Sequence, residues 1–116
     1  MARFRYRMQG ILDIKLKMET MVRQEFAQAK LLLDREVEKL ELLQDRKKMY
    51  EEQATGLLKG KLDVLEIVAN NESILHTEEA IAEQELQVQS AAERVEEVRE
   101  RLKNVMQERK VHETLK

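Results

Sequence analysis

Apolar residues in the first half of the chain recur at alternating spacings of three and four positions. With Leu12 as an a position of a heptad, ten of the fourteen a and d positions up to Leu57 are apolar or Tyr. The column runs Leu12, Lys15, Glu19, Val22, Phe26, Ala29, Leu33, Glu36, Leu40, Leu43, Lys47, Tyr50, Ala54, Leu57. Such spacing places these side chains on one face and predicts a continuous helix with a narrow seam.

The second half carries a similar column, which predicts a second long helix. It weakens after Arg109, where Val111 and Leu115 fall outside the register. Its members are Ile74, Thr77, Ile81, Gln84, Val88, Ala91, Val95, Val98, Leu102 and Val105.

Helix-breaking residues lie near the start of the chain, at Gly10, and near its midpoint. The chain has no Pro, and Gly56 and Gly60 fall near its midpoint. Asp63 follows as a candidate cap for the second helix. The pair Asn70-Asn71 is an alternative position for the break, and it would give arms of less equal length.

These signals predict one domain over residues 1–116. We expect a helix over about 3–55, a turn over about 56–62 and a second helix over about 63–116. Arms of matched length favour antiparallel pairing. The predicted fold class is all-α, with two long helices forming an antiparallel coiled-coil hairpin.

Charge favours docking of the two arms. Residues 1–61 carry 14 basic and 10 acidic groups, and residues 62–116 carry 7 basic and 13 acidic groups. Exposed ion pairs contribute only about 0–1 kcal/mol each, so packing of the seam must dominate.

Candidate chemistry is sparse, which predicts a protein that is not an enzyme and uses no cofactor. There is no Cys, no Gly-rich phosphate loop and no Ser with a plausible His and Asp relay. His76 with Glu79 and Glu83, and Glu108 with His112, have isolated metal-ligand spacings. Each group offers only two or three ligands, so we expect no metal site.

No apolar run is long enough to span a bilayer, because the longest runs, such as Leu31–Leu33, are about three residues. The basic start lacks the apolar core of a secretory signal, so it reads as mature protein.

Four apolar residues recur on the outward column of the first arm: Ile14, Met21, Leu42 and Met49. Two interpretations stay open. The residues could reflect a drift of the register or scattered surface positions. Alternatively, they could form a second stripe for a partner or for another copy of the chain, for which Met is well suited.

The chain opens with Arg3, Arg5 and Arg7 interleaved with Phe4 and Tyr6. Such a segment could contact phosphates and stack on bases, or anchor at a membrane surface. It could also be a solvated helix end or meet an acidic protein. Because the segment is short and the chain is net acidic, we expect no nucleic acid partner.

Several motifs in order resemble the flagellar export protein FliJ family along the whole chain. Each carries little information, and their order and spacing carry the resemblance. They are the opening Phe4–Lys15 followed by Glu19, Phe26 and Ala29; Tyr50 before the turn; Ala80-Ile81 with Gln84; and Glu108-Arg109-Lys110 with Glu113 and Leu115-Lys116.

The resemblance implies a non-catalytic component of the bacterial flagellar type III protein export apparatus. The expected role is a stalk-like activator of the export ATPase hexamer that contacts the cytoplasmic domain of the export gate and escorts export chaperones. The expected location is cytoplasmic, peripheral to the inner membrane at the flagellar base through the gate. The family usually continues beyond this length, so we expect a missing C-terminal segment. Homo-oligomer formation is left open.

By position, four residues match partner-binding sites of the family: Leu43, Tyr50, Ala80 and Gln84. Ser73 and Thr77 depart from its pattern, standing where some members have a large apolar residue, which moves the expected gate contact to neighbours such as Ile74. The alternative for all four is packing within the hairpin. The alternative functions are another stalk or adaptor coiled coil of a secretion or rotary ATPase complex, or a basic-ended helical protein that binds nucleic acid or lipid surfaces.

Overall fold

The computed structural model describes residues 2–115, which fold into two α-helices. Helix α1 spans Ala2–Leu57 and helix α2 spans Val64–Leu115, and residues 58–63 turn between them. Residues 2–115 contain no β-strand. The predicted fold class, an all-α antiparallel helical hairpin, is confirmed.

The turn is held by short-range hydrogen bonds. The amide of Lys59 donates to the carbonyl of Gly56 at 3.2 Å. Asp63 caps α2 as predicted, since its carboxylate accepts from the amide of Leu65 at 3.0 Å. Helix α1 continues through Gly10 and Gly56, and no Gly among the described residues adopts a positive φ. The turn therefore does not depend on the left-handed backbone that Gly permits.

The chain divides into two compact units, each built from a part of both helices. We call them the terminal unit, which is the chain up to Leu33 together with the chain from Ala91 onward, and the turn unit, which is Asp34–Ser90.

The terminal unit contains the buried apolar side chains of the described region. All of them belong to the two predicted columns, and Val98 is fully buried, with 0% of its surface exposed. They are Leu12, Val22 and Ala29 on α1, and Ala91, Val95 and Val98 on α2.

Polar members of the column in this unit pair across the two helices. Glu19 is buried and forms ion pairs with Arg109 of α2 at 2.5 Å and with Arg23 of α1 at 2.9 Å. The Arg23 hydrogen bond is the main cause that lowers the pKa of Glu19, against the effect of burial, and Arg109 adds to it. Lys15 binds Glu108 at 2.7 Å. These charges fit the seam because each has a partner.

The turn unit has a different seam. Its buried residues are Asn70 and Thr77, and its apolar column positions, such as Leu43 and Ile74, are only half-buried. Lys47 of α1 reaches Glu78 of α2 at 3.5 Å. The two helices of this unit are therefore held together both by half-buried apolar side chains and by polar contacts such as the Lys47–Glu78 ion pair.

The register of α2 extends further than expected. Arg109 and His112 continue the column as half-buried residues, while Val111 and Leu115 are exposed. The apolar pattern weakens there because the column positions are polar, while the same face of α2 stays turned toward α1.

The outward apolar residues of α1 are all exposed, so they lie outside the seam. They are Ile14, Met21, Leu42 and Met49. Within residues 2–115, no helix is both long and apolar enough to cross a membrane.

Replacing Val98 with Ala should destabilise the terminal unit. The change removes two methyl groups from a fully buried position, and we expect the free energy of unfolding to fall by about 1–3 kcal/mol. Val111→Ala is the matched control on the same helix, because Val111 is 57% exposed, and it should change stability by less than about 0.5 kcal/mol. Urea unfolding followed by circular dichroism measures both, and equal losses would contradict the assigned seam.

A candidate partner-docking groove

A shallow groove of about 250 Å³ lies between the two helices of the turn unit. Its lining residues recur at helical spacing, so that one face of each helix borders the space. They are Leu43, Arg46 and Tyr50 of α1, and Ser73, His76, Thr77 and Ala80 of α2.

Three of the four predicted partner-binding residues meet in this groove. Leu43 and Tyr50 are half-buried, seven positions apart on the column of α1. Ala80 is exposed on α2 and lines the same space. These side chains are together in space, and whether a partner binds them stays a prediction.

The groove exists because small side chains occupy the α2 wall. The hydroxyl of Thr77 donates to the carbonyl of Ser73 at 2.8 Å, and that of Ser73 donates to the carbonyl of Ala69 at 3.1 Å. Both hydroxyls are thus satisfied within their own helix. The short side chains of Ser73 and Thr77 therefore leave open space beside Leu43 and Tyr50.

Gln84, the fourth predicted residue, lies outside the groove lining and ties the two helices together. Its side-chain amide donates to the backbone carbonyl of Glu36 at 2.9 Å and to the carboxylate of Glu36 at 2.5 Å. The Gln84 hydrogen bond lowers the pKa of Glu36 and outweighs the opposing effect of burial, with a smaller contribution from Lys39. The structure gives Gln84 a role within the hairpin, and its contact with a partner stays a prediction.

The groove is also bordered by one nitrogen-bearing side chain from each helix, Arg46 of α1 and His76 of α2. Arg46 is exposed and forms no ion pair within residues 2–115, and His76 is exposed on the opposite helix. Neighbouring Lys47 is engaged by Glu78 at 3.5 Å and by Glu51 at 3.8 Å. An available guanidinium beside Tyr50 provides a donor for an acidic or carbonyl group of a partner.

Sequence reasoning did not assign Arg46 and His76 to this site. His76 was considered only as a metal-ligand spacing, and no group of three His, Asp or Glu side chains within residues 2–115 is placed to hold a metal ion. Their spacing from the predicted residues could have identified them in the sequence. Arg46 lies three positions after Leu43, and His76 lies four before Ala80, which places each beside a predicted residue.

Comparison with known protein families identifies a match along nearly the whole chain. The family model described as "Flagellar FliJ protein" matches residues 4–116. No curated protein and no solved structure matches the chain significantly.

Gln84→Ala should raise the pKa of Glu36 toward the ordinary value of a glutamate, because it removes the main donor to the carboxylate. Since the folded-state pKa is lowered, this interaction contributes stability above the ordinary glutamate pKa. That contribution is lost as the pH falls through the lowered value. Carbon-13 NMR titration of the Glu36 carboxyl measures the change.

Gln87→Ala is the matched control, since Gln87 is exposed on the same helix. It should leave the Glu36 titration unchanged. A Glu36 pKa that stays the same in Gln84→Ala would show that this hydrogen bond does not form in solution.

Proposed function

The chain belongs to the flagellar FliJ protein family, and from this premise we propose that it acts as a stalk-like activator of the flagellar export ATPase ring. Membership supports a component of flagellar export that has no catalytic role of its own. In this proposal the chain works by docking, and the ring carries out all hydrolysis.

The observation that carries the proposal is the groove of the turn unit. Leu43, Tyr50 and Ala80, the residues that match family interface positions, share one open surface there. Tyr50 and Arg46 are also of the residue types that most often dominate binding energies at protein interfaces. The groove therefore combines a recess of mixed polarity, an aromatic ring and an available cation in one place.

Activation by docking requires differential binding. A stalk raises the activity of the ring only if it binds the assembled, active form more tightly than the inactive or dissociated form. The groove is lined by residues of both helices. A subunit that inserts one side chain between Tyr50 and Ala80 would contact α1 and α2 at once.

The same family membership supports a proposal for a wider role. We propose that the chain also contacts the cytoplasmic domain of the export gate and escorts export chaperones. Its proposed location is the cytoplasm at the flagellar base, peripheral to the inner membrane through the gate. The supporting feature is the exposed surface around the groove, including Ala80 and His76, which is free for such contacts within the described chain.

Ala80→Arg should weaken activation of the export ATPase. The change fills the groove without removing a buried side chain, because Ala80 is exposed. We expect the concentration of chain that gives half-maximal stimulation of ATP hydrolysis to rise about tenfold or more. The assay measures phosphate release and hexamer formation by the purified ATPase as the chain is added.

Ala82→Arg is the matched control. Ala82 is also exposed on α2, two positions away and outside the groove lining, and Arg is a good helix former at either position. This variant should stimulate within about twofold of the unaltered chain, with both variants equally helical by circular dichroism. Equal effects of the two changes would exclude the groove as the docking site, and no stimulation by the unaltered chain would reject the stalk role.

A further inference from the structure

Exposed aromatic and basic side chains concentrate at the chain-end side of the terminal unit. Phe4 is 61% exposed, Tyr6 is 79% exposed and Leu115 of α2 is 63% exposed. We call this surface the end patch, and it consists of Arg3, Phe4, Arg5, Tyr6, Arg7 and Leu115.

The apolar members of the end patch border an open groove of about 420 Å³. Phe4 and Tyr6 contribute from α1, and Leu115 contributes from α2, with Met8 beside them. Exposed apolar surface of this kind, rimmed by cations, is typical of interaction sites rather than of a solvated helix end. Phe4, Tyr6 and Leu115 are exposed and lie outside the two seam columns.

The charge of the end patch is unbalanced. Arg3, Arg5 and Arg7 are all exposed and form no ion pair within the described residues. The nearby carboxylates are already engaged inside the terminal unit. Their partners are Gln9 for Asp13 (3.1 Å), Lys15 for Glu108 (2.7 Å) and Arg109 for Glu113 (2.7 Å). Three guanidinium groups are therefore available to an external anion.

We propose that the end patch binds directly to the surface of an anionic phospholipid bilayer. Guanidinium groups pair with phosphate in bidentate geometry. Phe4, Tyr6 and Leu115 would enter the boundary between headgroups and acyl chains, where aromatic and aliphatic side chains are favoured.

A bilayer fits these side chains better than nucleic acid does. Bases stack on aromatic faces, which would use Phe4 and Tyr6 but not the exposed aliphatic side chain of Leu115. The acyl boundary accepts all three. An anionic bilayer therefore satisfies both the charge and the apolar part of the end patch.

The electrostatic contribution to bilayer binding can be estimated from the number of arginines. Each basic residue near an anionic surface strengthens binding about fivefold, so Arg3, Arg5 and Arg7 together would contribute about a hundredfold. This part is screened by salt, while the part that depends on Phe4 and Tyr6 is less sensitive to salt.

This inference does not rest on the proposed function. The end patch belongs to the terminal unit and the docking groove belongs to the turn unit. Vesicle binding requires neither the ATPase nor the export gate, so failure of one proposal leaves the other in place.

The test is co-sedimentation of the whole chain with vesicles of phosphatidylcholine containing about 30% phosphatidylglycerol, a fraction chosen to give a clearly anionic surface. We expect binding to these vesicles, at least tenfold weaker binding to pure phosphatidylcholine, and loss of most binding at high salt. Replacing Arg3, Arg5 and Arg7 with Gln should weaken binding about a hundredfold. Phe4→Ser with Tyr6→Ser should also weaken it, which a purely electrostatic contact would not show.

The matched control replaces three exposed cations of the turn unit, Arg35, Lys48 and Lys59, with Gln. It removes the same charge and should leave vesicle binding within about twofold. An equal loss in this control, equal binding to neutral vesicles, or no binding at all would overturn the proposal. Tighter binding to a single-stranded RNA oligonucleotide than to the anionic vesicles in the same buffer would overturn it in favour of nucleic acid.

Discussion

Two helices packed side by side share a single line of contact, and every other property of this protein depends on what occupies that line. Apolar side chains there are shielded to different degrees, from Val98, which is fully buried, to Leu43, which is half-buried. A polar side chain there loses water on one side and must find a partner on the facing helix or its own. Glu19, held between Arg23 and Arg109, meets this condition, so a charged residue can occupy a seam position without breaking the pairing.

The two units meet the same constraint in different ways. The terminal unit buries six apolar side chains, whereas the buried residues of the turn unit are Asn70 and Thr77. Its larger apolar residues, such as Leu43, remain half-buried and keep surface that a partner could cover. Because hydrophobic free energy scales with the area removed from water, the turn unit has more to gain from docking along its seam. This difference supports placing the candidate groove there.

The sequence predicted the fold through periodicity, because a heptad pattern depends only on which face of a helix each residue occupies. It could not predict the partners of the polar column residues, which depend on how one helix is aligned against the other. The excess of basic groups on the first arm suggested that basic residues of α1 would pair with acidic residues of α2. In the terminal unit, Glu19 and Glu25 reverse it by binding Arg109 and Arg101. Family resemblance selected Leu43, Tyr50 and Ala80, which line one groove, and Gln84, which ties the two helices through Glu36. Binding of a partner to any of these residues stays a prediction.

Docking surfaces on a pair of helices have to be built from residues that do not pack in the seam, and the two proposed surfaces differ in which residues those are. In the turn unit, small side chains at Ser73, Thr77 and Ala80 leave a recess between the helices, which suits a protuberance of a folded protein. In the terminal unit, Glu108 and Glu113 form ion pairs with Lys15 and Arg109, whereas Arg3, Arg5 and Arg7 form none within residues 2–115, which leaves a surplus of cations near the chain ends. A recess favours a partner of complementary shape, and an excess of positive charge favours any anionic partner. The groove of the turn unit therefore suits a specific protein subunit. The end patch fits an extended anionic surface.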